Sequence, residues 1–75
     1  TLNGKKALII GVGEMSEIVA KHLVSDGLET YITNRTTQKA DILAQQCGAK
    51  SYHYGDLDKA INEFDIIFTA TSSKT

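Results

Sequence analysis

Residues 6–16 read Lys-Ala-Leu-Ile-Ile-Gly-Val-Gly-Glu-Met-Ser. A short apolar run ends directly at two glycines that are separated by one residue, Gly11 and Gly13. A short, continuous apolar run that stops at a glycine is typical of a β-strand covered on both faces. We therefore predict a first strand over Lys6–Ile10, followed by a turn that leads directly into a helix.

The rest of the chain alternates between helical and extended patterns. From residue 14 to residue 26 the spacing predicts a helix whose packed face holds Met15, Ile18, Val19, His22 and Leu23. Comparable patterns predict strands over residues 30–33, 50–54 and 65–71, with helices over residues 40–47 and 57–64. Because each helix connects two strands, we predict an α/β fold: a Rossmann-type, doubly wound parallel sheet in partial form, ordered β-α-β-α-β-α-β.

Composition narrows the classes of function and location. The 75 residues carry a formal net charge of −1, so the chain lacks the basic excess of a nucleic-acid-binding face. Its apolar runs fall far short of the ~20 residues of a membrane span, and its start has no signal-peptide pattern. The single cysteine, Cys47, excludes an internal disulfide and a multi-cysteine metal site and suits a reducing compartment. We expect a domain of a cytoplasmic protein without membrane contact.

The turn after the first strand carries the dinucleotide-binding fingerprint, with serine in place of its third glycine. Gly11 suits the tight turn, Gly13 lets the backbone approach a pyrophosphate, and Ser16 is small enough for the helix to pack on the strand. The free N–H groups of the helix start, including those of Glu14 and Met15, point toward an anion. We expect the Glu14 side chain to turn to solvent and the Ser16 hydroxyl to be able to donate to a phosphate oxygen. A purely structural turn is the alternative.

The end of the second strand indicates which dinucleotide binds. NAD-binding domains usually place an acidic residue here, whereas this chain has Asn34, Arg35 and Thr36, with Lys39 four residues beyond the arginine. A guanidinium suits a 2′-phosphate, and Lys39 could approach from the same side. The segment therefore predicts NADPH as the cofactor, the alternative being a solvated, basic helix start. We interpret residues 1–75 as an NAD(P)-binding domain fragment that continues beyond residue 75.

Other polar residues divide into one candidate pair and a structural group. Thr71 and Ser72 follow the fourth strand, where ligands of parallel sheets bind, and could hold ribose or pyrophosphate; an ordinary strand-to-loop transition is the alternative. His22, His53 and Cys47 have no partners arranged for catalysis or metal binding, so we expect structural roles for all three. No catalytic or metal-binding residue is predicted in this chain.

Four segments together resemble the NADPH-binding domain of the glutamyl-tRNA reductase family: Gly-Val-Gly-Glu-Met at 11–15, Val-Ala-Lys-His-Leu at 19–23, Asn-Arg-Thr at 34–36 and Thr-Ala-Thr-Ser at 69–72. Ser16 departs from the usual glycine of that family. The resemblance implies an NADPH-dependent reductase that converts glutamyl-tRNA to glutamate-1-semialdehyde, the entry step of tetrapyrrole (porphyrin) biosynthesis. It also implies that a separate domain supplies the catalytic cysteine, that glutamyl-tRNA binds outside this segment, and that regions outside it form a homodimer.

Two further interpretations remain open from the sequence. The Asn-Arg-Thr element also occurs in shikimate-dehydrogenase-like oxidoreductases, so the chain could be the NADP-binding domain of such an enzyme. A nucleotide-sensing Rossmann domain with no chemistry of its own would carry the same turn. A cysteine-bearing domain in the intact protein would favour the first interpretation, a lysine and aspartate catalytic domain the second, and a transport or channel segment the third.

Overall fold

The computed structural model describes residues 4–69 and has the alternating order that the sequence predicts. Its elements are β1 (Lys6–Ile10), α1 (Glu14–Ser25), β2 (Glu29–Thr33), α2 (Thr37–Cys47), β3 (Lys50–Ser51), a 3-10 turn (Tyr54–Asp56), α3 (Leu57–Glu63) and β4 (Ile66–Thr69). No helix within this range is long and apolar enough to cross a membrane.

The four strands form one parallel sheet in the order β3-β2-β1-β4. In its centre Ile9 pairs with Ile32 of β2 on one side and with Phe68 of β4 on the other. The chain runs outward from β1 to β3 and then returns to the opposite side of β1, so the order reverses at β1. This is the topological switch point of a doubly wound sheet, where ligands bind beyond the carboxyl ends of the strands. The predicted fold class is confirmed.

The main core lies between the sheet and the pair α1 and α2. Buried residues of the strands and of both helices share it: Ile9, Ala20, Ile32, Ala40, Leu43, Ala44 and Cys47. The two helices therefore cover the same face of the sheet, as two successive right-handed crossovers in one direction require. The crossover that returns to β4 places α3 against the other face.

The packed face of α1 differs from the predicted one. Ser16 and Ala20 are fully buried, whereas Met15 and Ile18 are 59% and 60% exposed. The prediction was wrong for these two apolar residues and for His22, which is also exposed, because hydrophobic spacing alone does not show how closely a helix approaches its sheet. Here α1 begins directly against the end of β1, and only small side chains fit between them.

The third and fourth strands are shorter than predicted within the described residues. After Ser51 only the Tyr52 N–H continues toward β2, donating to the Ile32 carbonyl at 2.8 Å, and the chain then enters the 3-10 turn. Asp56 stands at the N-cap position of α3, but its side chain makes no capping hydrogen bond. The prediction for residues 70 and 71 of the fourth strand lies outside the described residues.

Three aromatic rings pack beside α3. Tyr31 of β2, Tyr52 and Phe64 form three edge-to-face pairs, with ring centroids 5.1 to 6.3 Å apart. Such pairs stabilise a packed face beyond the area they bury. The Tyr52 hydroxyl donates toward Glu63 Oε1 at 3.0 Å, and partial burial together with this carboxylate raises the pKa of Tyr52 to about 12. The hydrogen bond to Glu63 therefore favours the protonated form of Tyr52.

Candidate functional site

The turn between β1 and α1 has one glycine that the backbone requires. Gly11 is buried with φ 107°, a conformation that residues with a side chain rarely adopt, and its N–H donates to the Thr33 carbonyl at 2.8 Å. This bond ties the carboxyl end of β1 to that of β2. The predicted role of Gly11 in a tight turn matches this geometry.

Gly13 serves the site differently. Its φ of −177° is extended backbone that any residue adopts, and a Cβ placed on it would meet no protein atom within 4 Å. The fold itself therefore does not need a glycine here. A side chain would instead project into the open space in front of the helix start, where a ligand has to approach the backbone.

The start of α1 presents unpaired backbone donors to that space. Gly13 is the N-cap residue and makes no side-chain capping bond, and the first helical bond runs from the Glu17 N–H to the Gly13 carbonyl at 3.1 Å. The N–H groups preceding Glu17 in the first turn lack helical acceptors by geometry. Glu14 and Met15 have exposed side chains, so they can contribute backbone N–H groups to an anion while the Glu14 carboxylate stays in solvent.

Ser16 occupies the position of the third glycine and points away from the open space. Its side chain is fully buried, and its Oγ donates to the Gly11 carbonyl at 2.9 Å. The expectation that this hydroxyl donates to a phosphate oxygen is therefore corrected, since its proton is already used inside the turn. Ser16 instead fixes the buried Gly11 peptide through this hydrogen bond.

Asn34, Arg35 and Thr36 lie beside the turn, at the carboxyl end of β2. Together with Ile10, Gly11 and Tyr54 they line a cavity of about 310 Å³. Asn34 Nδ2 donates to the Thr36 carbonyl at 3.2 Å, which holds this loop in shape, while Arg35 and Thr36 are exposed at the cavity. The structure thus brings the predicted cofactor-selecting loop and the first glycine of the fingerprint into one cavity.

Lys39 lines a different cavity. Its neighbours there are Val12, Gly13, Glu17, Ile42, Leu43 and Gln46, around a volume of about 270 Å³ between α1 and α2. Lys39 and Arg35 thus line different cavities, and the approach of Lys39 to a phosphate from the side of Arg35 stays a prediction. Lys39 instead lines the same cavity as Gly13, at the start of α1.

The predicted residues Thr71 and Ser72 lie outside the described residues. The strand that leads to them is described, and Thr69 at its end pairs with Ile10 of β1. The carboxyl end of β4 is therefore adjacent to the turn that is predicted to bind phosphate.

Cys47 has the surroundings of a structural residue, whereas His22 and His53 are both exposed. Cys47 is buried in the core between α1 and α2, as expected, and its Sγ lies 3.9 Å from the Glu17 carbonyl oxygen. Burial raises the pKa of the Cys47 thiol, and the Glu17 carboxylate adds to the rise while Lys21 opposes it. A buried thiol with a raised pKa is a poor nucleophile. His22 is exposed on α1, and the His53 ring lies beside Gly55, outside both cavities.

Sequence reasoning missed Tyr54 and Ile10 as cavity residues. Tyr54 begins the 3-10 turn that follows β3, and Ile10 is the last residue of β1. The usable signal was topological, because ligands bind beyond the carboxyl ends of the strands of a parallel sheet. Tyr54, in the turn after β3, and Ile10, at the end of β1, both lie at this edge of the sheet.

Comparison with known proteins identifies the family. The family model described as shikimate / quinate 5-dehydrogenase matches residues 1–75, the whole chain. The chain belongs to the shikimate/quinate 5-dehydrogenase family. Among individual proteins similar to this chain, the glutamyl-tRNA reductase of Sulfurimonas denitrificans is 67% identical over 72 residues. The match covers 96% of this chain and 17% of that protein. The glutamyl-tRNA reductase of Campylobacter jejuni is 42% identical over 74 residues, again 96% of this chain and 17% of the relative.

Solved structures that are similar to this chain agree. Glutamyl-tRNA reductase from Methanopyrus kandleri superposes with a TM-score of 0.86 at 33% identity, covering 96% of this chain and 18% of that one. Shikimate 5-dehydrogenase from Thermus thermophilus, solved in complex with NADP(H) and shikimate, superposes with a TM-score of 0.74 at 37% identity, covering 87% and 23%. The predicted resemblance to glutamyl-tRNA reductase is confirmed. The chain spans about a sixth of the length of the Sulfurimonas and Campylobacter relatives.

Proposed function

We propose that this chain binds NADPH as the cofactor domain of a glutamyl-tRNA reductase. The observation that carries the proposal is the position of Arg35, which shares one cavity with Gly11 at the carboxyl end of β2. The loop from Asn34 to Thr36 holds no carboxylate that would accept from an unmodified ribose. A planar guanidinium offers several N–H donors to a phosphate at the same position, and its positive charge favours a 2′-phosphate.

The described residues fit a dinucleotide phosphate in three respects. Gly13 leaves open space in front of an uncapped helix start, which suits the pyrophosphate. The cavity of about 310 Å³ lies next to it and offers Arg35 for the 2′-phosphate. The end of β4 adjoins the turn on its other side and leads toward the nicotinamide half. NADPH supplies hydride when bound; the residues of this chain bind it and orient it.

The reaction of the whole protein is part of the proposal. The identity of 67% to a glutamyl-tRNA reductase supports reduction of glutamyl-tRNA to glutamate-1-semialdehyde, as the first step of tetrapyrrole biosynthesis in the cytoplasm. Residues 1–75 would then be one domain of a longer protein, which also provides the catalytic cysteine, the tRNA contacts and a homodimer interface. The net charge of −1 supports tRNA binding elsewhere, because an acidic segment does not attract a polyanion.

A second candidate is the NADP-binding domain of a shikimate-dehydrogenase-like enzyme. It is favoured by the family model over residues 1–75 and by the superposition on a shikimate 5-dehydrogenase solved with NADP(H). Both candidates use the same cofactor site, so they differ only in the substrate of the intact protein.

The test uses the full-length protein that contains this chain. Binding of NADPH and NADH is measured by titration calorimetry, and NADPH oxidation is followed with glutamyl-tRNA and, separately, with the 3-dehydro form of shikimate. We expect tighter binding of NADPH than of NADH, and turnover with glutamyl-tRNA only. Equal affinity for the two cofactors would contradict the role of Arg35, and turnover with dehydroshikimate would replace the first candidate with the second.

A further inference from the structure

Tyr54 is the aromatic residue among those that line the Arg35 cavity. It begins the 3-10 turn after β3, two residues beyond Tyr52. Tyr52 packs with Tyr31 and Phe64 in the aromatic cluster, whereas the half-buried Tyr54 lies in the cavity wall with Ile10, Gly11 and Arg35. The two neighbouring tyrosines thus serve different parts of the fold, and packing of the aromatic cluster does not account for Tyr54.

The chemistry of the proposed ligand decides what can lie against this ring. The 2′-phosphate and the adenine base of NADPH are attached to adjacent carbons of one ribose. A phosphate held by Arg35 therefore keeps the base within the width of one sugar. The cavity of about 310 Å³ that contains Arg35 is the space available at that distance.

The walls of this cavity favour a flat, largely apolar group. Ile10 contributes an aliphatic surface and Tyr54 an aromatic one, and Asn34 and Thr36 contribute polar groups at the loop. The Asn34 amide already donates to the Thr36 carbonyl, so one of its hydrogen bonds is used within the loop. Purine bases stack on aromatic side chains because both present π-faces.

We propose that Tyr54 is the platform for the adenine base of the cofactor. This inference rests on the proposed NADPH-binding function and names the residue that recognises its base. Tyr54 acts by stacking on the purine, while Arg35 holds the 2′-phosphate of the same nucleotide. The ring, rather than the hydroxyl, carries the contact.

The experiment compares two probes in the full-length protein. Adenosine 2′,5′-bisphosphate has the base and the 2′-phosphate but no nicotinamide, and ribose 2,5-bisphosphate is the same sugar without a base. Affinities are measured by titration calorimetry for wild type, Tyr54→Ala, Tyr54→Leu and Tyr54→Phe. Loss of base stacking should weaken adenosine 2′,5′-bisphosphate by roughly 5- to 140-fold in the Ala and Leu variants. Tyr54→Phe should stay close to wild type, and ribose 2,5-bisphosphate should bind all four proteins alike.

Each result decides the matter. Unchanged binding of adenosine 2′,5′-bisphosphate to Tyr54→Leu, or an equal loss for both probes, overturns the platform role. The Leu variant keeps most of the side-chain volume, so it remains informative if Tyr54→Ala does not fold. Arg35→Ala separates this inference from the function on which it rests. If that variant binds both probes as wild type does, the proposed function fails; if it loses both probes while the Tyr54 variants lose neither, only the platform fails.

Discussion

The buried serine that follows the glycine turn gives the sharpest test of the structure. Ser16 is fully buried, and its Oγ donates to the Gly11 carbonyl at 2.9 Å. Ser16→Ala removes this bond and leaves the carbonyl of a buried glycine without its side-chain donor. An unsatisfied buried acceptor costs about 1–3 kcal/mol of the free energy of unfolding. Ser16→Gly loses the same bond and adds the cost of glycine in a helix, about 0.5–1 kcal/mol more.

This ranking opposes the expectation from the fingerprint alone. From the fingerprint alone, Ser16→Gly would restore the third glycine and leave stability unchanged or improved. The structure instead predicts that Ser16→Gly lowers the free energy of unfolding more than Ser16→Ala does. The control is Ser25→Ala, at the exposed end of the same helix, for which we expect a change within about 0.5 kcal/mol.

The assay is native-state hydrogen exchange of the full-length protein, read by mass spectrometry on peptides that cover β1 and α1. A loss of 1–3 kcal/mol should accelerate exchange there by roughly 5- to 140-fold in Ser16→Ala. Exchange that matches the Ser25→Ala control, or a Ser16→Gly protein that is better protected than wild type, would refute the assigned hydrogen bond.

Three further outcomes test the site and the fold. Arg35→Asp should weaken NADPH at least about tenfold and leave NADH nearly unchanged, because a charge-assisted bond is worth about 1.5–3 kcal/mol; an equal loss for both cofactors in calorimetry would remove the 2′-phosphate assignment. Gly13→Ala should reduce NADPH affinity without lowering the melting temperature, whereas Gly11→Ala should lower the melting temperature because its φ is 107°; the reverse pattern would show that their roles were exchanged. The pKa of Tyr52 is raised from 10.0 to about 12, so the stability it contributes should be present below pH 10 and be lost as pH rises from 10 to 12. Tyr52→Phe should flatten that part of the stability curve measured by urea unfolding, and an unchanged slope would contradict the contact with Glu63.

Much of the fold could be predicted because its signals are local. The apolar run of β1 and the glycines after it lie within a few residues of one another, and so do the end of β2 and Arg35. A strand followed by a glycine turn and a helix has few alternative structures, and the right-handed crossover then restricts the sheet to a parallel order. The prediction of NADPH rests on the same kind of signal, since the cofactor-selecting loop directly follows a strand.

The errors arose where a side chain's neighbour is distant in sequence or where closeness of approach matters. Met15, Ile18 and Val19 follow the helical i, i+3, i+4 spacing. The helix nevertheless packs its small residues Ser16 and Ala20 on the sheet, because its first turn lies against β1. Hydrophobic periodicity shows which surface of a helix is apolar. The size of the side chains that fit under the helix is set by the element it packs against. The third strand was predicted too long for a related reason, since the β-propensity of Tyr52 and Tyr54 does not show that pairing with β2 stops after the Tyr52 N–H.

The sequence by itself determined the alternating α/β order, the glycine turn after β1 and the position of Arg35 at the end of β2, because each is encoded by neighbours along the chain. Tertiary structure alone decided that Ser16 is an internal donor to Gly11 and that Tyr54 shares a cavity with Arg35. The order β3-β2-β1-β4 places the carboxyl ends of three strands side by side, although the residues there are separated by about twenty positions in the chain. Parallel pairing, and not proximity in sequence, assembles this site.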